Sequence, residues 1–150
     1  MLILIRGAGD IASGIAIRLH RSGIRVVMTD VARPTAIRRT VSFSGAIKSG
    51  RQTVEDVTAR LAATPEEALE ITRGGDIAVL VDENCACLPA IAPDAMVDAI
   101  LAKRNLGTRR DMAPAVIGVG PGFKAGEDCH AVVETMRGHT LGRVYYSGSA

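Results

Sequence analysis

The sequence predicts an α/β fold: a mostly parallel sheet with helices on both faces, followed by a C-terminal β-hairpin. Three observations carry this. Short apolar segments alternate with helix-patterned ones, as crossover connections between parallel strands require. The first, Leu2–Ile5, runs into Gly7, Gly9 and Ala12, a G-x-G-x-x-A turn opening a helix. A second apolar strand, Arg25–Thr29, ends at Asp30, 21 residues after Gly9. Dinucleotide-binding folds place a ribose-binding carboxylate there. Together these define a Rossmann-like unit. The chain has 150 residues, one domain's worth, so residues 1–150 are read as a single nucleotide- or cofactor-binding domain.

Each element follows from its pattern. Ile11, Ile15 and Leu19 recur every four residues and predict a helix over 11–22, with Gly23 as its left-handed cap. Arg33–Thr40 is a basic connection. Val41–Phe43 reads as a short strand, and Val54, Val57 and Leu61 as one face of a second helix. Thr64-Pro65-Glu66-Glu67 is a helix start: a capping threonine, proline in the first turn, then acids. Gly74-Gly75 stops that helix. Ile77–Val81 is apolar and short, a buried strand, and Ala95–Leu101 and Ala115–Val119 are further strands. Ala131–Thr135 and Arg143–Tyr146 flank a turn-rich Arg137–Gly142 and predict the hairpin.

Composition removes several function classes. The chain is 47% hydrophobic and 23% charged, an ordinary globular balance. Aromatics are 3% and Trp is absent, which leaves no stacking platform for single-stranded nucleic acid. A net charge of +2 is too small to point to nucleic acid or an anionic membrane. The apolar run near Met1 is too short for a signal peptide or membrane helix. Three cysteines without disulfide spacing point to the reducing cytoplasm.

The candidate site begins with Gly7, Gly9 and Ala12. Glycine lets the backbone approach a phosphate, and the helix start aims N–H groups and a positive dipole end at it. Asp10 would repel a pyrophosphate unless turned away, and is read as the helix N-cap. Asp30 is the ribose acceptor. Arg33, Arg38 and Arg39, on the connection after it, present planar forks suited to a 2′-phosphate or to the terminal phosphate of a pterin cofactor. Gly118, Gly120 and Gly122 form a second glycine-rich loop after a strand, expected to face the same crevice. It is not a P-loop, since no Gly-Lys-Ser/Thr closes it. His139, in the hairpin turn, is a further candidate contact. Cys85 and Cys87 lack zinc or redox spacing and read as small buried or loop residues. No metal site is expected. Asp128-Cys129-His130 offers no Cys–His pair, because neighbours on an extended segment point to opposite faces.

Several words of this sequence occur together elsewhere: Arg6–Ala12, Pro34–Val41, Val97–Thr108, Met112-Ala113-Pro114, Gly118–Phe123 and Glu134–His139. With them the chain resembles the accessory family of selenium-dependent molybdenum hydroxylases. That family is distantly similar to the Rossmann domain of xanthine dehydrogenase accessory factors. The resemblance runs nearly end to end, with residues 83–94 the least similar stretch. It implies a cytoplasmic protein that helps mature or insert the molybdenum cofactor for a hydroxylase apoenzyme, with selenium as a further element. It also implies a longer chain: the family continues for roughly another hundred residues, one small domain, so this chain corresponds to a fragment or short form.

Two function classes remain. One is a maturation factor that binds an anionic, phosphate-bearing nucleotide or pterin without turning it over; a homo-oligomer is compatible with it. The other is an NAD(P)-dependent oxidoreductase or NAD-sensing domain, resting on Gly7, Gly9, Ala12 and Asp30. Against oxidoreductase chemistry, no Tyr-x-x-x-Lys pair is present, and Tyr145 and Tyr146 lie in the expected hairpin.

Overall fold

A computed structural model describes residues 1–150. Nine strands form one sheet: β1 Leu2–Arg6, β2 Arg25–Asp30, β3 Arg51–Val54, β4 Val57–Ala62, β5 Ile77–Val81, β6 Ala95–Asp98, β7 Ala115–Val119, β8 Ala131–Val133 and β9 Val144–Tyr145. Their order across the sheet is β3-β4-β5-β2-β1-β6-β7-β8-β9. Every neighbouring pair from β4 through β8 is parallel, and the outermost pairs, β3 with β4 and β8 with β9, are antiparallel. This is the Rossmann-like α/β arrangement.

Helices α1 Asp10–Arg21, α2 Gly45–Ser49, α3 Pro65–Arg73 and α4 Leu88–Ile91 cover the two faces. Alternation along the strands explains the split. Ile3, Ile5, Val26 and Met28 face a core completed by Ala12, Ala16 and Ile17 of α1 and Ala46 of α2. Leu2, Leu4 and Val27 face the other, with Ala68 and Ile71 of α3 and Ile91 of α4. Strands covered on both faces must be apolar throughout, and all five residues of β1 are buried. α1 ends as its sequence indicates, with Gly23 at φ +81°. At the start of α3 the Thr64 hydroxyl accepts a hydrogen bond from Glu67 N–H at 3.1 Å.

Four expectations are corrected. Val54, Val57 and Leu61 lie on a β-hairpin, not a helix: β3 and β4 pair around Glu55-Asp56, and Glu55 takes φ +56° to make the turn. Val41–Phe43 is not a strand. A 3₁₀ turn covers Arg39–Val41, and Phe43 is fully buried in the α1-side core, its N–H donating to Ser13 Oγ at 2.8 Å. The strand expected over 95–101 stops at Asp98, and Leu101 has φ +61°. Asp10 is not the N-cap. Gly9 holds that position, and Asp10 Oδ1 accepts only from the adjacent Ile11 N–H.

Candidate functional site

The chain crosses from β1 through α1 to β2 on one side, then returns to place β6 on the other side of β1. The strand order reverses between β1 and β6, and open α/β sheets bind ligands outside the strand ends at such a point. A cleft of about 410 Å³ lies there, within the size range of small-ligand sites. It is walled by Gly7–Ile11 after β1, Asp30–Val31 and Pro34–Ile37 after β2, and Ala99–Leu101 after β6.

The two glycines of the first loop answer to different demands. Gly7 has φ +107°, and a Cβ there would lie 3.1 Å from the Ala99 carbonyl oxygen, so the fold itself requires it. Gly9 has φ −70°, open to any residue, and a Cβ there would meet nothing within 4 Å. Neither strain nor contact calls for glycine at position 9, and glycine is one of the residues favoured at a helix N-cap, the position Gly9 holds. The bare backbone faces the cleft, which is the condition for close approach of an outside group. The first intrahelical backbone bond of α1 is Ser13 N–H to Gly9 C=O at 2.8 Å, so the first-turn amides lack backbone partners, and of them Ile11 N–H is held by Asp10 Oδ1. Ala12 is fully buried and seats the helix on the sheet.

Asp30 closes the loop from the other side. Its Oδ2 accepts from Ala8 N–H at 3.0 Å and its Oδ1 from Val31 N–H at 2.8 Å. Burial raises its pKa, and those two amide bonds oppose the rise. Ala8 C=O accepts from Ser44 N–H at 2.9 Å and Ser13 Oγ–H at 3.3 Å, so three segments hold this one residue.

The two acids of the cleft have no cation in its walls. Arg38 stands beside it, its Nε 3.7 Å from Asp10 Oδ2, with Arg38 exposed and Asp10 half-buried. Asp10 is thus drawn toward Arg38. Arg39 turns the other way, into an adjacent cavity. Ile11, Ile37 and Ile100 leave apolar surface exposed at the cleft, Ile37 almost completely.

Gly118, Gly120 and Gly122 do not line this cleft, and the protein's own atoms fill the space beside them. A Cβ at Gly118 would lie 2.4 Å from the Phe123 ring, and one at Gly120 2.6 Å from Leu101. At Gly122, with φ +103°, it would lie 2.6 Å from the Arg104 backbone. His139 is exposed in the turn between β8 and β9, three strands from β1.

A buried ion pair beneath the cleft escaped the sequence reading. Arg6 and Asp98 are register partners at the ends of β1 and β6, 5% and 1% exposed, with Arg6 Nη1 3.6 Å from Asp98 Oδ2. Thr108 Oγ1 accepts from Arg6 at 3.0 Å and donates to Asp98 at 2.6 Å. Arg6 also donates to the carbonyls of Glu83 and Leu106, both at 3.0 Å. The cluster ties down the 99–108 segment, whose first residues, Ala99–Leu101, form one wall of the cleft. Its signal was a charge at the end of each of two apolar strands.

All three cysteines are free and buried. Burial raises the pKa of each thiol, and for Cys87 the neighbouring Asp82 carboxylate adds to a large rise. A thiol held protonated is a poor nucleophile or metal ligand. His130 accepts from Val116 N–H through Nδ1 at 2.9 Å and does not engage Cys129. No group of three or more His, Cys, Asp or Glu side chains is placed to hold a metal ion. The largest cavity, about 920 Å³, is an open groove between α4 and residues 109–114. It lies away from the first glycine loop, so size does not mark the site here.

Fold and cleft define a Rossmann-like domain with its crevice at the switch point. The chain is 58% identical over 149 residues to the uncharacterized protein YqeB of Escherichia coli (strain K12), a match that takes in 99% of this chain and 28% of that protein. It thus spans just over a quarter of its relative's length. No family model matches the chain, and no solved structure matches it significantly. No helix is long and apolar enough to cross a membrane.

Proposed function

We propose that this domain binds a phosphate-bearing nucleotide or pterin cofactor in the switch-point cleft, as part of a factor that matures or inserts the molybdenum cofactor of a selenium-dependent molybdenum hydroxylase. Gly9 carries the binding half of this reading: it lines the cleft with bare backbone at the start of α1, with open space where a Cβ would stand. Of the first-turn amides beside it, Ile11 N–H is held by the Asp10 carboxylate, and those of Asp10 and Ala12 have no partner and suit a phosphate. The exposed isoleucines at the cleft suit the flat face of a base or pterin ring, since apolar walls with a few placed polar groups are the ordinary make-up of a ligand site. The maturation half rests on the sequence resemblance. In this reading the protein works in the cytoplasm, delivers the cofactor as cargo to a hydroxylase apoenzyme, and binds neither nucleic acid nor membrane.

Asp30, at the end of β2 on the cleft wall, favours a second reading: an NAD(P)-dependent oxidoreductase or NAD-sensing domain. Calorimetry with NAD, NADP and a molybdopterin nucleotide, on the parent and on Gly9→Val, separates the two. Tightest binding of the pterin, lost in the variant, supports the maturation factor. Tightest binding of a nicotinamide dinucleotide overturns it in favour of the second. Binding unchanged in a folded Gly9→Val protein overturns both.

A further inference from the structure

Beside the cleft, across the segment Pro34–Ala36, lies a second cavity of about 330 Å³. Arg33, Arg39 and Lys48 all line it, and no acidic residue does. None of the three forms an ion pair, in contrast to Arg38, which meets Asp10. Three like charges around one hollow repel one another and gain nothing from the protein. Ser44 lines the same cavity. It is 5% exposed, yet its hydroxyl does not cap the helix it precedes. Three unpaired cations around one space, with the uncommitted Ser44 hydroxyl on its wall, are complementary to a dianion.

We propose that this cavity is a phosphomonoester subsite, occupied by a terminal phosphate of the ligand whose other part fills the switch-point cleft. The inference rests on the cleft reading for the ligand and on this cavity's own residues for the subsite. The two spaces share Pro34 and Ala36 as a common wall. They also share a floor, because Ser44 N–H donates to the carbonyl of Ala8 in the glycine loop. A phosphate continuing past Pro34 meets three cations. Arginine forks match phosphate oxygens bidentately, and lysine adds a point charge. Two sources supply this chemistry: the 2′-phosphate of a dinucleotide, or the terminal phosphate of a pterin.

The test is titration of the ¹⁵N-labelled chain with inorganic phosphate, followed by calorimetry with NADP, NAD and molybdopterin. All three cations are exposed, so the triple variant Arg33→Ala, Arg39→Ala, Lys48→Ala retains the fold, and the milder Lys48→Gln is a second check. Phosphate should shift the amide signals of Ser44, Gly45 and Lys48 saturably. The triple variant should abolish the shifts, and Lys48→Gln should weaken them. No shift in the parent, or the same shift in the triple variant, overturns the subsite. NADP binding at least about tenfold tighter than NAD, with the difference erased in the triple variant, assigns the subsite to a ribose 2′-phosphate, tenfold being about the effect of one charge-assisted hydrogen bond. Equal binding of NADP and NAD, with molybdopterin bound at least about tenfold more weakly by the triple variant than by the parent, assigns it to a pterin's phosphate. Phosphate shifts without binding of any nucleotide or pterin overturn the cleft reading and leave the subsite standing.

Discussion

The carboxylate of Asp30 holds the amide of Ala8 at 3.0 Å, so the acid ending the second strand fixes the glycine loop that follows the first. A residue at a ribose-binding position is therefore also a structural clamp. Asp30→Asn keeps the shape but offers one carbonyl oxygen to two N–H donors, Ala8 and Val31. One amide loses its partner, at a cost of about 1–3 kcal/mol. Denaturant unfolding should show that loss, and ligand affinity should fall with it. Unchanged stability would remove the clamp.

Asp30 and Asp82 should act on stability in opposite senses as pH changes. Burial raises Asp30, so the folded state takes up its proton first. Its contribution is complete below the unfolded value and is lost as pH rises through the folded one. Asp82 is also pushed up by burial, but hydrogen bonds from Cys87 and Ala86 outweigh this and hold it below its ordinary value. Its contribution is present above the unfolded value and lost as pH falls through the folded one. Asp82→Asn should flatten the acid limb of a stability–pH curve, and Asp30→Asn should steepen it. The reverse pattern would refute both assignments.

Gly9 and Gly122 should respond differently to side chains. Gly9→Val should leave the fold intact and block the ligand, since nothing in the protein occupies that space. Gly122→Ala forces a Cβ against the Arg104 backbone at a positive φ, and should destabilise by about 1–3 kcal/mol or more without a direct effect on the cleft. Thermal unfolding beside a binding assay on each variant checks this. A destabilised Gly9→Val with normal affinity would reverse the roles given to the two loops.

Asp98→Asn should be among the most damaging single changes, costing about 3–5 kcal/mol, because it leaves the Arg6 guanidinium charged and buried without its counter-ion. Hydrogen exchange should then quicken first in residues 99–108, which the cluster holds. Uniform exchange across the chain would mean that the pair does not fix the wall of the cleft.

The three thiols should resist alkylation in the native protein at neutral pH and react together once it unfolds. Each is buried and held protonated. A single fast-reacting cysteine in the folded state would contradict this.

Where local pattern and tertiary demand coincide, the sequence was readable. Leu2–Ile5 before Gly7 can be little but a buried strand entering a turn, and Thr64-Pro65 announces its helix. Val54, Val57 and Leu61 misled because their spacing fits a helix face, while the hairpin turn at Glu55-Asp56 lacks the glycine or asparagine that usually marks one. Phe43 leaves the β pattern because the α1-side core claims its ring. Arg6 and Asp98 are 92 residues apart, and only strand register brings them together. The second glycine loop shows the deeper limit. A glycine that admits a ligand and one that admits Phe123 or Arg104 look alike in a sequence, and only the surrounding atoms tell them apart.

The antiparallel strands that finish both margins of the sheet have a practical consequence. β3 turns Arg51 and Thr53 to solvent, and β9 closes the opposite margin with only two paired residues. Unpaired strand borders recruit other chains, and these short terminal strands withhold the parallel interior from such recruitment. Trimming the chain before Arg143 would uncover the amides and carbonyls of Ala131–Val133 and invite copies of the protein to join along that line. Shortened versions should therefore precipitate or form soluble clusters well before they lose their helices.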